Sequence, residues 1–374
     1  MLRFVLGPLL GQGRHDQALT TSAAGAAPVG PRRRRRGRAL GVGAAALSVV
    51  LVAAACGGSD DDGGEPAAGG STGAAAPITL SFSAWPGWFP WQVAEEKGFF
   101  EANGVEVDLK YFDSYTDSLN ALATGNVDAN TQTLNDTIAS AAGGAEEVIV
   151  LTNDNSTGND QIIAAPGINS VADLKGKTVA AEQGTVDHYL LLLALQKAGL
   201  TESDITFQPL LTDAAAAAFV AGQVDAVGVF APFTTTALEL PGSKPIATSA
   251  DFPGAIPDHL VVSKELVEKN PAGVQGLVNA WFDTIEWITA NKDEAYEIMA
   301  KRAGVSVEDY ATYDEGTTIF TLEQNLEAFA PGTTDAHLDF QAEKISEFLV
   351  STGLIDEAPA LDGLLDDTFV KAVK

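Results

Sequence analysis

The sequence predicts an α/β protein built from two similar lobes, each a largely parallel sheet covered by helices. Three observations predict it. Strand-like and helix-like patterns alternate from residue 78 to residue 151, and the alternation restarts at residue 178. The predicted helices end on glycines such as Gly125, Gly199 and Gly222, which supply the left-handed residue that closes a helix. A weak internal repeat also links the halves. Thr116-Asp117 leads through a small-residue helix to Gly125-Asn126-Val127-Asp128-Ala129, and Thr212-Asp213 leads through an alanine-rich helix to Gly222-Gln223-Val224-Asp225-Ala226.

Taken in order, residues 78–83 alternate apolar and polar as a strand does. Residues 92–102 suit a helix stopped at Asn103-Gly104, and 105–112 a second strand. A helix over 116–123, a strand over 127–133, a helix over 136–142 and a strand over 148–151 complete the first set. The second set comprises strands over 178–181, 205–210 and 224–230 with helices over 186–198 and 214–220. Beyond residue 258 one short strand, 260–263, precedes a mostly helical stretch. Asn270-Pro271 combines a capping side chain with proline at the first helical position. The helix that follows, 272–290, puts Val274, Leu277, Val278, Trp281, Ile285 and Ile288 on one face, and 338–349 predicts another packing helix. The expected division is lobe 1 over 77–160 with a return over 259–374, and lobe 2 over 161–258.

The N-terminus sets the expected compartment. Arginines at 32–36 and Arg38 precede residues 39–55, which are uncharged and apolar or small, and Ala53-Ala54-Ala55 precede Cys56. A basic block, a short apolar run and small residues describe a secretory signal over 1–55. Cys56 is the only cysteine, so no internal disulfide forms. Its position resembles the lipobox of bacterial lipoproteins, which implies lipidation at Cys56 and anchoring on the extracytoplasmic side of the cell membrane. Residues 56–76, rich in Gly, Ser, Ala and Asp, read as a flexible tether.

Eight arginines and Asp16 lie within 1–55. Of 22 basic and 50 acidic residues, the rest of the chain therefore keeps 14 and 49, a net charge of −35. Only Arg302 represents arginine there. Nucleic-acid binding needs a basic footprint and is excluded. The acid excess serves solubility or favours neutral and cationic ligands.

Ligands of parallel α/β sheets sit beyond the carboxyl ends of the strands, so the strand-to-helix loops are the candidate site. The first loop, 85–92, offers Trp85, Trp88, Phe89, Trp91 and Gln92, with rings that stack planar groups and attract cations. The next two offer Asp113 and Tyr115, then Asn135 and Asp136. Asp117 and Asp136 can equally cap their helices. The polar run 153–160 reads as a crossover hinge whose Asp154 and Asp160 can face the cleft. Lobe 2 contributes Glu182, Thr185, His188, Phe230 and Phe233. His188 stands in a first helical turn, where capping or cleft lining outweighs catalysis; Asp258-His259, near the return crossing, has a similar reading. No phosphate loop, metal-spaced His/Cys cluster or nucleophile elbow is present. A monomer without catalytic residue, metal or cofactor is expected.

Together these loops resemble the nitrate/sulfonate/taurine-type solute-binding proteins, a group that includes thiamine-pyrimidine binders. The resemblance spans about residues 78–374. It rests on Trp85 to Gln92, on AEEKGFFEANGVEV from Ala94, on ADLKGKTVAAEQGTVDHYLL from Ala172 and on AGQVDAVGVFAPF from Ala221. It implies the two-lobed periplasmic-binding-protein type II (Venus flytrap) fold, a ligand in the interlobe cleft, and delivery to an ABC permease and its ATPase. The likeness is greatest to a branch found beside urea or guanidine carboxylase genes, carried by 85–91 and 153–160. Sulfonate or nitrate binding commonly uses Arg, Lys or His donors, and these loops contain no Arg or Lys. Their carboxylates and tryptophans suit a compact planar cation such as guanidinium. Sulfonate, taurine, nitrate or thiamine-pyrimidine binding remains the alternative, with a lyase-type enzyme on the same fold behind it.

Overall fold

The computed structural model describes residues 76–374; the expected signal, Cys56 and nearly all of the tether lie outside them. Eleven strands form among the described residues: β1 Ile78–Phe82, β2 Val107–Tyr111, β3 Ala129–Thr133, β4 Glu147–Ser156, β5 Asp160–Ala164, β6 Thr178–Ala181, β7 Thr206–Pro209, β8 Ala226–Phe230, β9 Lys244–Thr248, β10 Pro257–Ser263 and β11 Thr317–Ile319. They make two sheets, ordered β11-β4-β10-β3-β1-β2 and β7-β6-β8-β5-β9. We refer to the two sheets and their helices as lobes 1 and 2.

The two orders share one plan. In lobe 1, β1 pairs in parallel with β2 and β3, and antiparallel β10 follows before β4. In lobe 2, β6 pairs in parallel with β7 and β8, and antiparallel β5 follows before β9. Each antiparallel strand is the one that follows a crossing between the lobes. The Val-Asp-Ala repeat has a structural cause. Asp128 Oδ2 accepts from the Thr79 amide at 2.8 Å, and Asp225 Oδ2 accepts from the Thr178 amide at 2.8 Å. Each aspartate satisfies the first free amide of a neighbouring strand, and the valine before it is buried.

Differences from the sequence reading concern polar strands. The run 153–156, expected as loop, is the end of β4, because β10 and β11 pair with it on both sides. Only 157–159 remain between β4 and β5. Strands β5, β9 and β11 lacked a legible apolar alternation. The helix expected over 92–102 is two helices, Pro90–Lys97 and Phe99–Ala102, broken at Gly98 with φ 74°. Pro271–Ala290 packs on Pro90–Lys97, where Trp281 and Trp91 meet at 4.7 Å; its N-cap Asn270 accepts from the Gly273 amide.

Candidate functional site

The carboxyl ends of β1, β3 and β8 meet the amino ends of β5 and β10 at one place, and a small cavity lies there. Its aromatic walls close on themselves. Trp85 faces Trp88 at 6.4 Å, Trp88 faces Tyr115 at 5.4 Å, Tyr115 faces Phe230 at 6.1 Å and Phe230 faces Trp85 at 6.3 Å. Three of these rings come from lobe 1 and Phe230 from lobe 2. Neighbouring rings meet tilted or edge to face, and aromatic rings around a small space suit planar or cationic groups. Asp160 and Asp258 join the lining, and a neighbouring small space, sharing Tyr115 and Phe230, is lined by Asp113, Glu182, Thr212 and Phe233.

The polar groups around the cavity are acceptors in excess. Asp154, Asp160 and Asp258 are 0, 2 and 1 % exposed, and one oxygen of each has no hydrogen-bond partner. Asp187 Oδ1 is equally unpartnered. Asp154 Oδ1 accepts from Trp85 Nε1 at 2.8 Å, which ties the cage to the carboxylates. No lysine or arginine lines either cavity. Burial pushes Asp136, Asp154 and Asp160 each up to about 7. Burial, and then neighbouring carboxylates, hold Asp187 and Asp258 well above the ordinary range. A buried carboxylate without a cation is costly, and no basic side chain lines either cavity to offset that cost.

Helix N-termini are the usual anion sites of such a cleft. Here the protein's own carboxylates fill them. Glu182 accepts from the Thr212 amide at 3.1 Å and Thr212 Oγ1 at 2.6 Å, at the start of helix Thr212–Val220. It also accepts from the Thr116 amide at 3.3 Å and from the Thr116 hydroxyl, in the first turn of helix Tyr115–Ala123. Asp136 accepts from the Val186 amide at 3.3 Å, at the start of helix Val186–Lys197. The Glu182–Thr116 and Asp136–Val186 bonds cross between lobes.

The NMT1/THI5-like family pattern matches residues 85–295, more than half of the chain. The chain belongs to the NMT1/THI5-like family. A putative binding protein of Brucella abortus (strain 2308) is 29% identical over 260 residues, covering 68% of this chain and 80% of that one. The taurine-binding periplasmic protein of Escherichia coli (strain K12) is 29% identical over 247 residues, covering 63% and 76%. Among solved structures, the alkanesulfonate-binding protein SsuA of Xanthomonas axonopodis pv. citri, bound to MOPS, aligns with a TM-score of 0.68 at 18% identity, covering 79% of this chain and 99% of that one. The chain thus has the periplasmic-binding-protein fold.

Within this family member, the candidate residues divide by position. Trp85, Trp88, Tyr115, Asp160 and Phe230 line the first cavity, and Asp113, Glu182 and Phe233 the second. Asp154, Asn135, Asp136 and Thr185 stand directly behind them. Asn135 Nδ2 donates to Asp136 at 2.8 Å, and Thr185 Oγ1 donates to the Glu182 carbonyl at 3.0 Å. Four expected contacts lie elsewhere. Because the helix begins at Pro90, Trp91 turns into the lobe core against Phe100 and Trp281, and Gln92 accepts from Arg302 Nε at 2.9 Å. Phe89 packs on Phe82 and Tyr310. His188 lies about 200° around its helix from Val186, the residue that reaches the cavity. It stacks on Phe207 at 4.3 Å and meets Glu202 at 3.0 Å, and burial pulls its titration down. Asp258, read from the sequence only with His259 as capping or lining the cleft, was not among the candidate ligand residues. It begins the antiparallel strand β10, whose amino end falls at the carboxyl edge of the parallel strands, and that reversal was the available signal. Asp187 and Thr212 were also left out of the candidate set.

Gly87 has a positional role. A Cβ there would fall 2.0 Å from Asp154 Oδ2. Gly87→Ala is therefore expected to push Asp154 out of its seat and break the bond from Trp85. Such overpacking costs about 1–3 kcal/mol. Thermal unfolding should show that loss, and calorimetry a parallel loss of ligand affinity; an unchanged melting temperature would contradict it. Thr116→Val tests closure instead. It removes a hydroxyl that reaches Glu182 across the cleft, a bond to a charged acceptor worth about 1.5–3 kcal/mol. Affinity should fall by about tenfold or more while the melting temperature of the unliganded protein barely moves. An equal loss in both would make Thr116 a folding residue.

Proposed function

We propose that this protein is the solute-binding component of an ABC importer and that its cargo is a small, nitrogen-rich, guanidinium-like cation. One observation carries the ligand assignment. The cavity joins a closed aromatic ring to buried carboxylate oxygens that have no partner. A planar cation with several N–H donors satisfies both at once, by face-on contact with the rings and charge-assisted hydrogen bonds to the acids. A quaternary ammonium ion would meet the rings and leave the acceptors unpaired. A sulfonate would face helix N-termini already taken by Glu182 and Asp136.

Capture follows from the two lobes. Trp85, Trp88, Tyr115 and Asp258 act from lobe 1, Phe230 and Asp160 from lobe 2, so only the closed state offers every contact. The ligand shifts the open–closed equilibrium by that difference in affinity. The closed form is what a permease would receive. Anchoring by a lipid on Cys56 belongs to the same reading, and loss of membrane association in Cys56→Ser tests it. Sulfonate or taurine binding is the second reading, favoured by the names of the relatives. Calorimetry with guanidinium, urea, taurine and nitrate separates the two. Tight taurine or nitrate binding with no response to guanidinium overturns the assignment.

A further inference from the structure

We infer that ligand capture is an exchange in which the cation enters as a proton leaves the carboxyl pair Asp154 and Asp258, so that acid empties the site. The inference rests on the cationic reading of the cleft and adds how the empty cleft is kept neutral.

The geometry starts from the sheet. Asp154 on β4 and Asp258 on β10 are direct partners in the antiparallel ladder. Residues so paired hold their side chains next to one another. Both are fully buried, and Oδ2 of each finds no donor in the protein. Two adjoining carboxylates in an apolar surround cannot both ionise, whereas one carboxyl hydrogen-bonded to one carboxylate can persist. The proton supplies what the chain withholds.

The other groups facing the pair leave that conclusion intact. From β5 comes Asp160, also with an unpartnered oxygen. From the helix starts come Asp136, Asp187 and Glu182, all acids. His259 follows Asp258 on β10 and turns to Thr152 Oγ1 at 3.2 Å; burial holds it down to about 3, so it stays neutral. Tyr115 and Tyr310 are phenols that burial moves further from ionising. No lysine or arginine lines the cavity to compensate. Among the described residues, no group of His, Cys, Asp or Glu is placed to hold a metal ion that would do so.

The step balances simply. The carboxyl O–H bond breaks, its proton goes to solvent, and the incoming cation takes over the neutralising charge. Burial holds Asp154 and Asp160 near 7 in the empty cleft, and burial and the neighbouring carboxylates raise Asp258 as well. A bound cation stabilises the ionised forms and lowers all three. Affinity therefore rises with pH up to about 7, by about tenfold per pH unit for one proton exchanged.

The test is calorimetric titration of the full chain with guanidinium chloride at pH 6, in two buffers of different ionisation heat, with affinities followed from pH 5.5 to 8. Exchange predicts heats that differ between buffers by the equivalent of about one proton, and an affinity that climbs about tenfold per unit before levelling. Asp258→Asn, which also removes a ligand contact, should bind more weakly at pH 8 and show a smaller difference in heat between the two buffers than the unaltered chain. If that variant does not fold, the two-buffer comparison on the unaltered chain decides alone. Heats independent of buffer, with a flat affinity profile, overturn the exchange and leave the ligand reading standing. Absence of any guanidinium heat at pH 8 overturns the ligand reading and the exchange with it.

Discussion

Asp160→Asn is expected to lower the affinity for guanidinium by on the order of a hundredfold or more while raising the stability of the unliganded protein at neutral pH. The opposite signs are the informative part. Asp160 is buried with an oxygen that finds no donor, and burial pushes its titration up to about 7. In the empty protein its ionised form is a burden, and the isosteric amide removes the charge without opening a cavity. In the complex the same carboxylate faces a cation across a desolvated gap. Removing one partner of such a pair costs about 2–5 kcal/mol. A residue kept for packing would lose stability when replaced, and a residue kept for binding gains it. Calorimetry and thermal unfolding of the same preparation check both signs. A variant that is less stable and binds normally would make Asp160 a structural residue.

Much of the fold was legible because apolar strands and glycine-ended helices carry their own periodicity. The parallel strands of both lobes and the helices Val186–Lys197 and Pro271–Ala290 fell within a few residues of their predicted bounds. What was not legible depends on pairing rather than on local pattern. Asn153, Asp154 and Asn155 look like loop residues, and only strands on both sides make them strand. At the site, two of the four rings could be read from the first loop, and the scarcity of basic residues from the composition. The turns of Trp91 and His188 away from the cavity, each into a buried position, depend on where a helix starts, within a residue or two. Asp258 needed the knowledge that β10 runs against its neighbours. The role of Glu182 needed two helix starts, Thr116 and Thr212, to be brought to one carboxylate from different lobes.

That last arrangement bears on why a fold shared with sulfonate- and taurine-binding relatives would accept a cation. The scaffold presents helix N-termini to the cleft, which draw negative charge. Helix N-termini left open in such a cleft would be available to an anion. Here Glu182 and Asp136 occupy them and also join the lobes, so the positive ends of the helices are consumed by closure. On the proposed reading the ligand then meets the remaining acids, Asp160 and Asp258, and the four rings that line the cavity with them. On the proposed reading, specificity changes sign with the backbone plan unchanged, through the placement of two carboxylates.

The unliganded protein should consequently be more stable at pH 5 than at pH 8, and millimolar guanidinium, far below denaturing levels, should reverse that order. Asp136, Asp154 and Asp160 titrate near 7 when folded, against 3.8 for the ordinary side chain. Between those values the unfolded chain gives up protons that the folded one keeps. Stability therefore falls as pH rises from about 4, and it levels off above about 7, where the folded carboxyls ionise as well. One carboxyl moved that far carries up to about 4 kcal/mol, and Glu147, which burial also pushes to about 7, acts in the same direction. Asp173, Asp204 and Glu265 shift the opposite way, but they lie at the surface, where solvent screens them. A bound cation stabilises the ionised forms, and its stabilising effect grows with pH as its affinity does. Melting temperatures measured from pH 5 to 8, with and without guanidinium, check both halves. A melting temperature that rises with pH in the unliganded protein would mean that the buried carboxylates are already neutralised by something within the fold, and the case for an incoming cation would lose its physical basis.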